Sequence, residues 1–234
     1  MTDEHETPPT ADATGPGWVV LHLFCSVGPE TDAGAVELAV KECQAAQHQV
    51  VTVACVGHKG GLGVIGIGPS LPRLRSLQTG LERAGCRVEY SYLSLTEISE
   101  YAQGIPEAMK TARLRPVLPP AEMPAFCFYP MSKRREGPDN WYLLAYEERL
   151  KLMYGHGGTG RKFHGRVLQL VTGSTGLDDY EWGVTLFGRS LEDLKECVYT
   201  MRYDEASARY ADFGPFITGT VGPLDAVLGA LGLR

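Results

Sequence analysis

Four side chains capable of redox, acid–base or metal-binding chemistry occur in a fixed order in the second half of the chain. Tyr129 and Lys133 lie in the segment Tyr-Pro-Met-Ser-Lys, His156 opens the segment His-Gly-Gly-Thr-Gly-Arg-Lys, and Gln169 follows. A phenol can be oxidised, an ammonium can neutralise a carboxylate, and a neutral imidazole is the usual proximal ligand of haem iron. Together these residue types could hold an iron porphyrin and act on a neighbouring carboxylate.

Tyr129 lies on a predicted strand, so it shares a face with Cys127, Met131 and Lys133. This face would bring a phenol, a thioether and an ammonium together along one wall. A buried tyrosine bonded to the backbone, followed by a solvated Lys-Arg-Arg turn, explains the same residues without any chemistry.

His156 and Gln169 also have structural interpretations. His156 could end a helix, where the helix dipole favours histidine and Gly157 and Gly158 would terminate the helix. Gln169 shares a strand face with two valines, which places an amide on an inward apolar face. Such an amide needs a partner or a ligand, and a hydrogen bond to a neighbouring strand would satisfy it.

Two glycine-rich segments have the spacing of nucleotide-binding loops but the wrong context. Residues 61–66 match a dinucleotide fingerprint, yet β-branched residues continue through them and the next helix begins only after Ser70. Residues 155–162 resemble a phosphate loop but follow a predicted helix instead of a strand. We interpret both segments as turns.

The composition favours a protein of the cytoplasm without a nucleic-acid or membrane partner. The 22 basic and 28 acidic side chains give a net charge of −6, which argues against nucleic-acid binding. No apolar run has membrane-spanning length, and the acidic N-terminus is the reverse of a secretory or transit peptide. The six cysteines show no Cys-x-x-Cys spacing and lie among apolar neighbours, so we predict buried free thiols.

The pattern of elements occurs twice along the chain. After a disordered leader (1–17), the first half (18–101) reads as strand 18–27, helix 32–47, strands 50–56 and 64–67, a helix capped by Ser70 and strand 87–93. The second half (125–220) reads as strand 125–131, helix 146–156, strands 166–172 and 180–187, a helix capped by Ser190 and strand 213–218. Each half has the ferredoxin-like order.

These two halves predict an α+β fold in which duplicated ferredoxin-like units form a dimeric α+β barrel within one chain. Residues 102–124, with five prolines, are predicted to form a linker or lid. The tail (221–234) is apolar but short, and we expect a subunit contact or a frayed end.

The second half closely resembles the bacterial coproheme decarboxylases of the chlorite dismutase-like superfamily. The resemblance rests on segments that share extended identity: Cys-Phe-Tyr-Pro-Met-Ser-Lys-Arg-Arg-Glu-Gly, Asp-Asn-Trp-Tyr, Glu-Glu-Arg, Met-Tyr-Gly-His-Gly, Thr-Gly-Arg-Lys, Asp-Asp-Tyr-Glu-Trp-Gly-Val-Thr-Leu-Phe and Met-Arg-Tyr-Asp-Glu-Ala-Ser-Ala-Arg-Tyr. The first half matches in outline only. The family's fold is a duplicated ferredoxin-like barrel, usually assembled as a homopentamer.

The resemblance implies a role for each candidate side chain. His156 would be the proximal iron ligand, Tyr129 the tyrosine that becomes a radical, Lys133 the cation near the reacting propionate, and Gln169 the distal residue. Further residues would line the pocket or bind propionates: Met131, Trp141, Arg202, Ser207, and Arg113, with Arg115 as an alternative to Arg113.

The activity implied by the resemblance is oxidative decarboxylation of iron coproporphyrin III (coproheme), which would be both substrate and cofactor. Hydrogen peroxide would give an iron-oxo species that oxidises Tyr129, and two propionates would become vinyls to yield haem b. Chlorite-degrading relatives carry an arginine where this chain has Gln169. A haem carrier or sensor without this activity is the alternative, and an iron-free barrel acting as an oxygenase or structural oligomer is a third.

Overall fold

The computed structural model describes residues 17–102 and 104–233, so the predicted leader lies, except for Gly17, outside the described residues. The first half begins with a strand of alternating apolar residues and continues in the order that the sequence predicts. Its elements are β1 (Val19–Ser26), α1 (Ala33–Ala45), β2 (Gln49–Val56), β3 (Leu62–Gly68), α2 (Leu71–Arg83) and β4 (Arg87–Thr96).

Local signals explain where the helices of both halves begin. The Asp32 side chain accepts a hydrogen bond from the backbone N–H of Ala35 at 3.0 Å and caps α1. The hydroxyl of Ser190 accepts from the backbone N–H of Asp193 at 3.1 Å and caps the helix that follows. A proline at the second position of α2 is compatible with a helix start, because the first N–H groups have no intrahelical acceptor.

The second half repeats the arrangement and adds short elements near its end. After a 3₁₀ turn (Glu100–Ala102) and α3 (Glu107–Leu114), it comprises β5 (Ala125–Lys133), two 3₁₀ turns (Gly137–Asp139 and Trp141–Leu143), α4 (Tyr146–Arg161), β6 (Val167–Gly173), β7 (Trp182–Gly188), α5 (Leu191–Met201), α6 (Glu205–Ala208), β8 (Ala211–Phe213), β9 (Ile217–Gly222) and α7 (Leu224–Ala230). The predicted linker therefore contains a helix.

The strand order confirms the α+β fold with two ferredoxin-like units. The first unit has the order β4-β1-β3-β2, and the second has the matching order β9-β5-β7-β6. Antiparallel pairing of β2 with β9 and of β4 with β6 joins the two units. Because β5 also pairs with β7, the sheet closes on itself as a barrel.

Apolar side chains fill the barrel and the space under the outer helices. Phe24, Phe126, Phe128 and Phe187 are fully buried inside the barrel. A separate cluster under α1 and α2 also includes side chains of α7. The tail therefore packs within the chain as a helix, because its apolar residues complete the first unit's core. All six cysteines are free and buried, as predicted.

Several predicted boundaries and turns are wrong. The helix predicted to end at His156 continues to Arg161, because Gly157 and Gly158 keep helical backbone angles. The next glycine with a positive φ is Gly165. Residues 155–161 are consequently helix and not a turn. Residues 62–66 of the other glycine motif lie in β3, where small residues fit against Leu74 and Cys55. The last predicted strand is divided into β8 and β9.

In the described ranges, no helix combines the length and the apolar character that crossing a bilayer requires.

The junction of β2 and β9 gives a test of the fold. A Cβ at Gly219 would lie 2.4 Å from the carbonyl oxygen of Ala54, so Gly219→Ala must separate the strands that join the two units. We expect the free energy of unfolding to fall by at least about 2 kcal/mol in urea titrations. Gly229→Ala, where a Cβ meets nothing within 4 Å, is the matched control and should leave stability unchanged or slightly higher. Equal stability of the two variants would contradict this junction.

Candidate active site

The helix that carries His156 packs differently from its counterpart in the first unit. Helix α1 buries Val36, Ala39, Val40 and Cys43 against the sheet, whereas α4 has no fully buried residue. Helix α4 instead lies against α5, α6 and the 3₁₀ turn at Glu100–Ala102. Its apolar side chains therefore keep surface available for a ligand.

A carboxylate orients the imidazole of His156. The Nδ1 atom of His156 lies 2.5 Å from Oδ2 of Asp204, in the turn between α5 and α6. Since a carboxylate accepts hydrogen bonds, this contact assigns the proton to Nδ1 and leaves the lone pair of Nε2 available. Burial lowers the pKa of His156, and Asp204 opposes that shift. A half-buried neutral histidine held in this way is the usual arrangement of a metal-binding histidine.

The ammonium of Lys133 lies in the same cluster. Its Nζ donates to the carbonyl oxygen of Ala206 at 2.6 Å and lies 4.3 Å from the centroid of the Trp141 ring. Burial lowers the pKa of Lys133 to about 8, and the charges of Asp204 and Glu181 oppose this effect. Because an ammonium has three N–H donors, Lys133 can bind an anion in addition to its bond with Ala206.

Tyr129 is buried among aromatic side chains. Its ring stacks on Phe216 with centroids 4.5 Å apart and meets the edge of Phe213 at 5.6 Å. Burial is the main reason that the pKa of Tyr129 is raised far above its ordinary value, with the neighbouring Cys127 and Cys197 adding to it. The phenol therefore stays protonated at neutral pH.

The register of β5, β7 and β6 places Gln169 on the face that carries Tyr129. Cys127 lies opposite Leu186, and Leu186 lies opposite Gln169, so these side chains share one face and Gln169 is about 10 Å from Cys127. Helix α5 packs against these strands, while the side chain of Phe128 on the other face fills the barrel. The prediction of an inward-facing Gln169 is wrong, since its side chain is exposed on the outer face.

The remaining predicted residues differ in how closely they join the cluster. Trp141 is buried beneath Lys133. Ser207 is buried in α6, and its backbone N–H donates to the carbonyl oxygen of Asp204. Met131 packs beside Tyr129. Two arginines are exposed, Arg113 in the last turn of α3 and Arg202 at the end of α5.

The alternative arginine has a different environment. The guanidinium of Arg115 lies 5.5 Å from the centroid of the Trp18 ring, at the start of the first unit. This contact directs the guanidinium of Arg115 toward the first unit.

Three residues of the cluster were missed by reasoning from the sequence. Asp204 orients His156, and Phe216 stacks on Tyr129. Glu181 accepts a 2.9 Å hydrogen bond from the backbone N–H of Lys133 and forms an ion pair with Arg135. Asp204 and Glu181 do occur in segments that carry the family resemblance. The resemblance was therefore one signal that could have pointed to these two carboxylates. A second signal for Asp204 is that a metal-binding histidine usually donates its other ring N–H to a carboxylate.

Comparisons with known proteins identify the family. The family model for chlorite dismutase matches residues 30–222. A solved haem-binding protein from Thermus thermophilus is 37% identical, with 93% of this chain and 96% of that chain covered and a TM-score of 0.82. The structure of chlorite dismutase from Candidatus Nitrospira defluvii in complex with imidazole is 21% identical and has a TM-score of 0.73, with 92% of this chain and 95% of that chain covered. This second match shows a similarity of fold. The chain belongs to the chlorite dismutase family.

The donor set fits an iron porphyrin. An oriented neutral imidazole can provide one axial ligand, and a buried ammonium can meet a propionate. The apolar surface of α4 and the outer face of the sheet would contact the macrocycle.

Replacement of the orienting carboxylate tests the role of His156. Asp204→Asn should weaken ferric haem binding about 10–100-fold, because the imidazole loses the partner that fixes its tautomer and direction. The Soret band measured during haem titration gives the affinity. Asp212→Asn, at an exposed carboxylate paired with Arg134, is the control and should bind as the parent chain does. Equal affinities of the two variants would refute this role.

The buried lysine predicts a specific pH dependence of stability. The folded-state pKa of Lys133, about 8, lies below that of an unfolded lysine, about 10.4. The unfolded chain therefore binds more protons between these values, and stability rises with pH in that window. Relative to Lys133→Met, the free energy of unfolding should rise by about 2 kcal/mol from pH 8 to 10.

Urea unfolding of both chains at matched pH measures this difference, because titration of the shared cysteines and tyrosines cancels. A difference that stays flat, or falls as the pH rises, would contradict the burial of the Lys133 ammonium.

Proposed function

We propose that this protein is a coproheme decarboxylase, which converts two propionates of iron coproporphyrin III to vinyl groups with hydrogen peroxide and releases haem b. The cluster of His156, Asp204 and Lys133, with Tyr129 on the same strand as Lys133, is the main support for this proposal. The bound iron porphyrin supplies the reaction with peroxide. The side chains bind, orient and exchange protons and electrons with it.

His156 would hold the iron through Nε2. The hydrogen bond to Asp204 fixes the imidazole and increases its basicity, which strengthens a bond to ferric iron. The uncharged amide of Gln169 would lie on the distal side. A charged arginine at that position would favour peroxidase or chlorite chemistry, so the neutral side chain fits decarboxylation.

Tyr129 would be the side chain that is oxidised. Its phenol stays protonated at neutral pH, so oxidation removes an electron and the phenolic proton together. Tyr129 in this form takes a hydrogen atom from the β-carbon of a propionate and regains its O–H bond. Loss of carbon dioxide, with transfer of one more electron to the peroxide-oxidised iron porphyrin, would then leave a vinyl group.

Lys133 and the arginines would have different tasks. A guanidinium binds a carboxylate through two parallel hydrogen bonds, so Arg113 and Arg202 suit the propionates that remain. A pKa of about 8 allows Lys133 to hold its proton beside a carboxylate and to release it once that carboxylate leaves as carbon dioxide. Met131, Trp141 and Ser207 would complete the pocket.

We also propose that the protein is a homopentamer, as the family resemblance implies, and that it is located in the cytoplasm. A haem carrier or sensor would need the His156–Asp204 pair but not a buried lysine on the same strand face as a tyrosine.

Mass spectrometry of the porphyrin tests this function. With coproheme and peroxide, the parent chain should give two successive losses that correspond to conversion of propionate to vinyl. Tyr129→Phe should bind coproheme with an unchanged Soret shift but lose nearly all decarboxylation, because phenylalanine has no O–H bond to break. Tyr154→Phe, at an exposed position on α4, is the control and should retain turnover.

Full turnover of Tyr129→Phe would refute the role of the tyrosine. Bleaching of the porphyrin by the parent chain without any decarboxylated product would favour a haem carrier. Absence of a Soret shift with the parent chain would favour a barrel that uses no iron.

A further inference from the structure

A row of three aromatic rings leads from the candidate site to the protein surface. Trp141 is buried under the ammonium of Lys133 and packs near Met153, one helical turn before His156. The edge of Tyr101 meets Trp141 with centroids 6.4 Å apart, and Tyr101 stacks with Tyr146 at 6.0 Å and 21°. Tyr146 is 39% exposed.

Tyr101, the middle ring of the row, has polar neighbours that suit a tyrosine that can be oxidised. The Nε of Arg149 donates to the phenol oxygen of Tyr101 at 3.0 Å. Burial, and then a side-chain hydrogen bond with Glu100, raise the pKa of Tyr101 to about 12. Loss of an electron makes a phenol strongly acidic, so a carboxylate beside the O–H can take its proton during oxidation. The phenol of Tyr146 donates to the carbonyl oxygen of Glu100 at 3.3 Å and is partly exposed, so it can also give its proton to water.

The other ring beside Trp141 does not lead outward. Tyr210 meets Trp141 at 5.3 Å but is only 1% exposed. Of the two tyrosines beside Trp141, Tyr101 is therefore the one that continues to an exposed ring, that of Tyr146.

The aromatic neighbours of Tyr129 differ from those of Trp141, which suits Tyr129 to oxidation of the substrate and Trp141 to transfer toward the surface. Its ring contacts Phe213 and Phe216, and phenylalanine is far harder to oxidise than tyrosine or tryptophan. The aromatic rings in contact with Tyr129 therefore give an oxidised Tyr129 no onward aromatic route, whereas an oxidised Trp141 has a tyrosine in contact.

We infer that Trp141, Tyr101 and Tyr146 form an exit route that carries unused oxidising equivalents from the site to the surface. This inference rests on the proposed function, with hydrogen peroxide acting through the bound iron porphyrin as the oxidant. An electron passes from Tyr101 to oxidised Trp141 while the phenolic proton of Tyr101 passes to Glu100. An electron from Tyr146 then restores Tyr101, which regains that proton, and Tyr146 loses its own proton to water.

The final electron comes from a small reductant in solution, such as a thiol or ascorbate, which reaches the exposed ring of Tyr146. The route would spare the oxidisable sulfurs of Cys127 and Met131, which pack beside Tyr129. It would operate whenever peroxide reacts and no propionate is in position.

Radical trapping on the haem b-loaded chain tests this route. Haem b carries vinyl groups in place of the two reacting propionates, so its oxidising equivalents cannot be used for decarboxylation. After peroxide and a nitroso spin trap, peptide mass spectrometry should find the adduct on Tyr146 in preference to Tyr154 on the same helix. Exposure alone predicts the opposite order, because Tyr154 is 76% exposed and Tyr146 is 39% exposed.

Interruption of the row should move the adduct. In Tyr101→Phe the adduct on Tyr146 should fall to the level found on Tyr154, and Tyr203→Phe, at an exposed tyrosine of another helix end, should leave it unchanged. If Tyr101→Phe does not fold, Tyr146→Phe, at the partly exposed position, replaces it as the test. In that variant the adduct should form on Tyr101, because the outer ring can no longer pass an electron to it.

Two failures can be told apart. Equal labelling of Tyr146 and Tyr154, or labelling of Tyr146 that survives Tyr101→Phe, would overturn the route even while coproheme is decarboxylated and the Soret band is normal. Failure of the parent chain to bind haem b or coproheme, seen as an unshifted Soret band, would overturn the proposed function and the route with it.

Discussion

The hydrogen bond between His156 and Asp204 is the contact on which the candidate site depends. It joins α4 to the turn before α6, and it decides which nitrogen of the imidazole carries the proton. The same turn positions Ala206, whose carbonyl oxygen holds the ammonium of Lys133. One short segment therefore arranges both the neutral imidazole and the buried cation. The helix that carries His156 can serve a ligand because it does not bury its own side chains against the sheet.

Much of the fold could be predicted because it is determined by local patterns. Alternating β-branched residues specified most strands, and Asp32 and Ser190 marked helix starts through side-chain caps. Closure of the barrel depends on pairing between residues far apart, such as Thr52 with Gly222, which single-sequence periodicity does not indicate. The end of α4 was misplaced because Gly157 and Gly158 are only weak helix breakers when the surrounding contacts favour a helix.

The site was predictable in its residue types and less so in its geometry. Period-two alternation showed that Gln169 shares a face with two valines, but not which face lies inside the barrel. Asp204 lies 48 positions from His156, so no local spacing connects them. The family resemblance included its segment without assigning it a role. Contacts from three separate elements surround Lys133, and its burial could only be seen once the chain was folded.

Resonance Raman spectroscopy of the ferrous haem complex tests the central claim most directly. The iron–histidine stretching band reports both the presence of the axial imidazole and the strength of the hydrogen bond at its other nitrogen. We expect a band that disappears in His156→Ala and moves to lower frequency in Asp204→Asn, since a weaker acceptor leaves the imidazole less basic. A band that persists in His156→Ala, or that is identical in Asp204→Asn and the parent chain, would contradict the account.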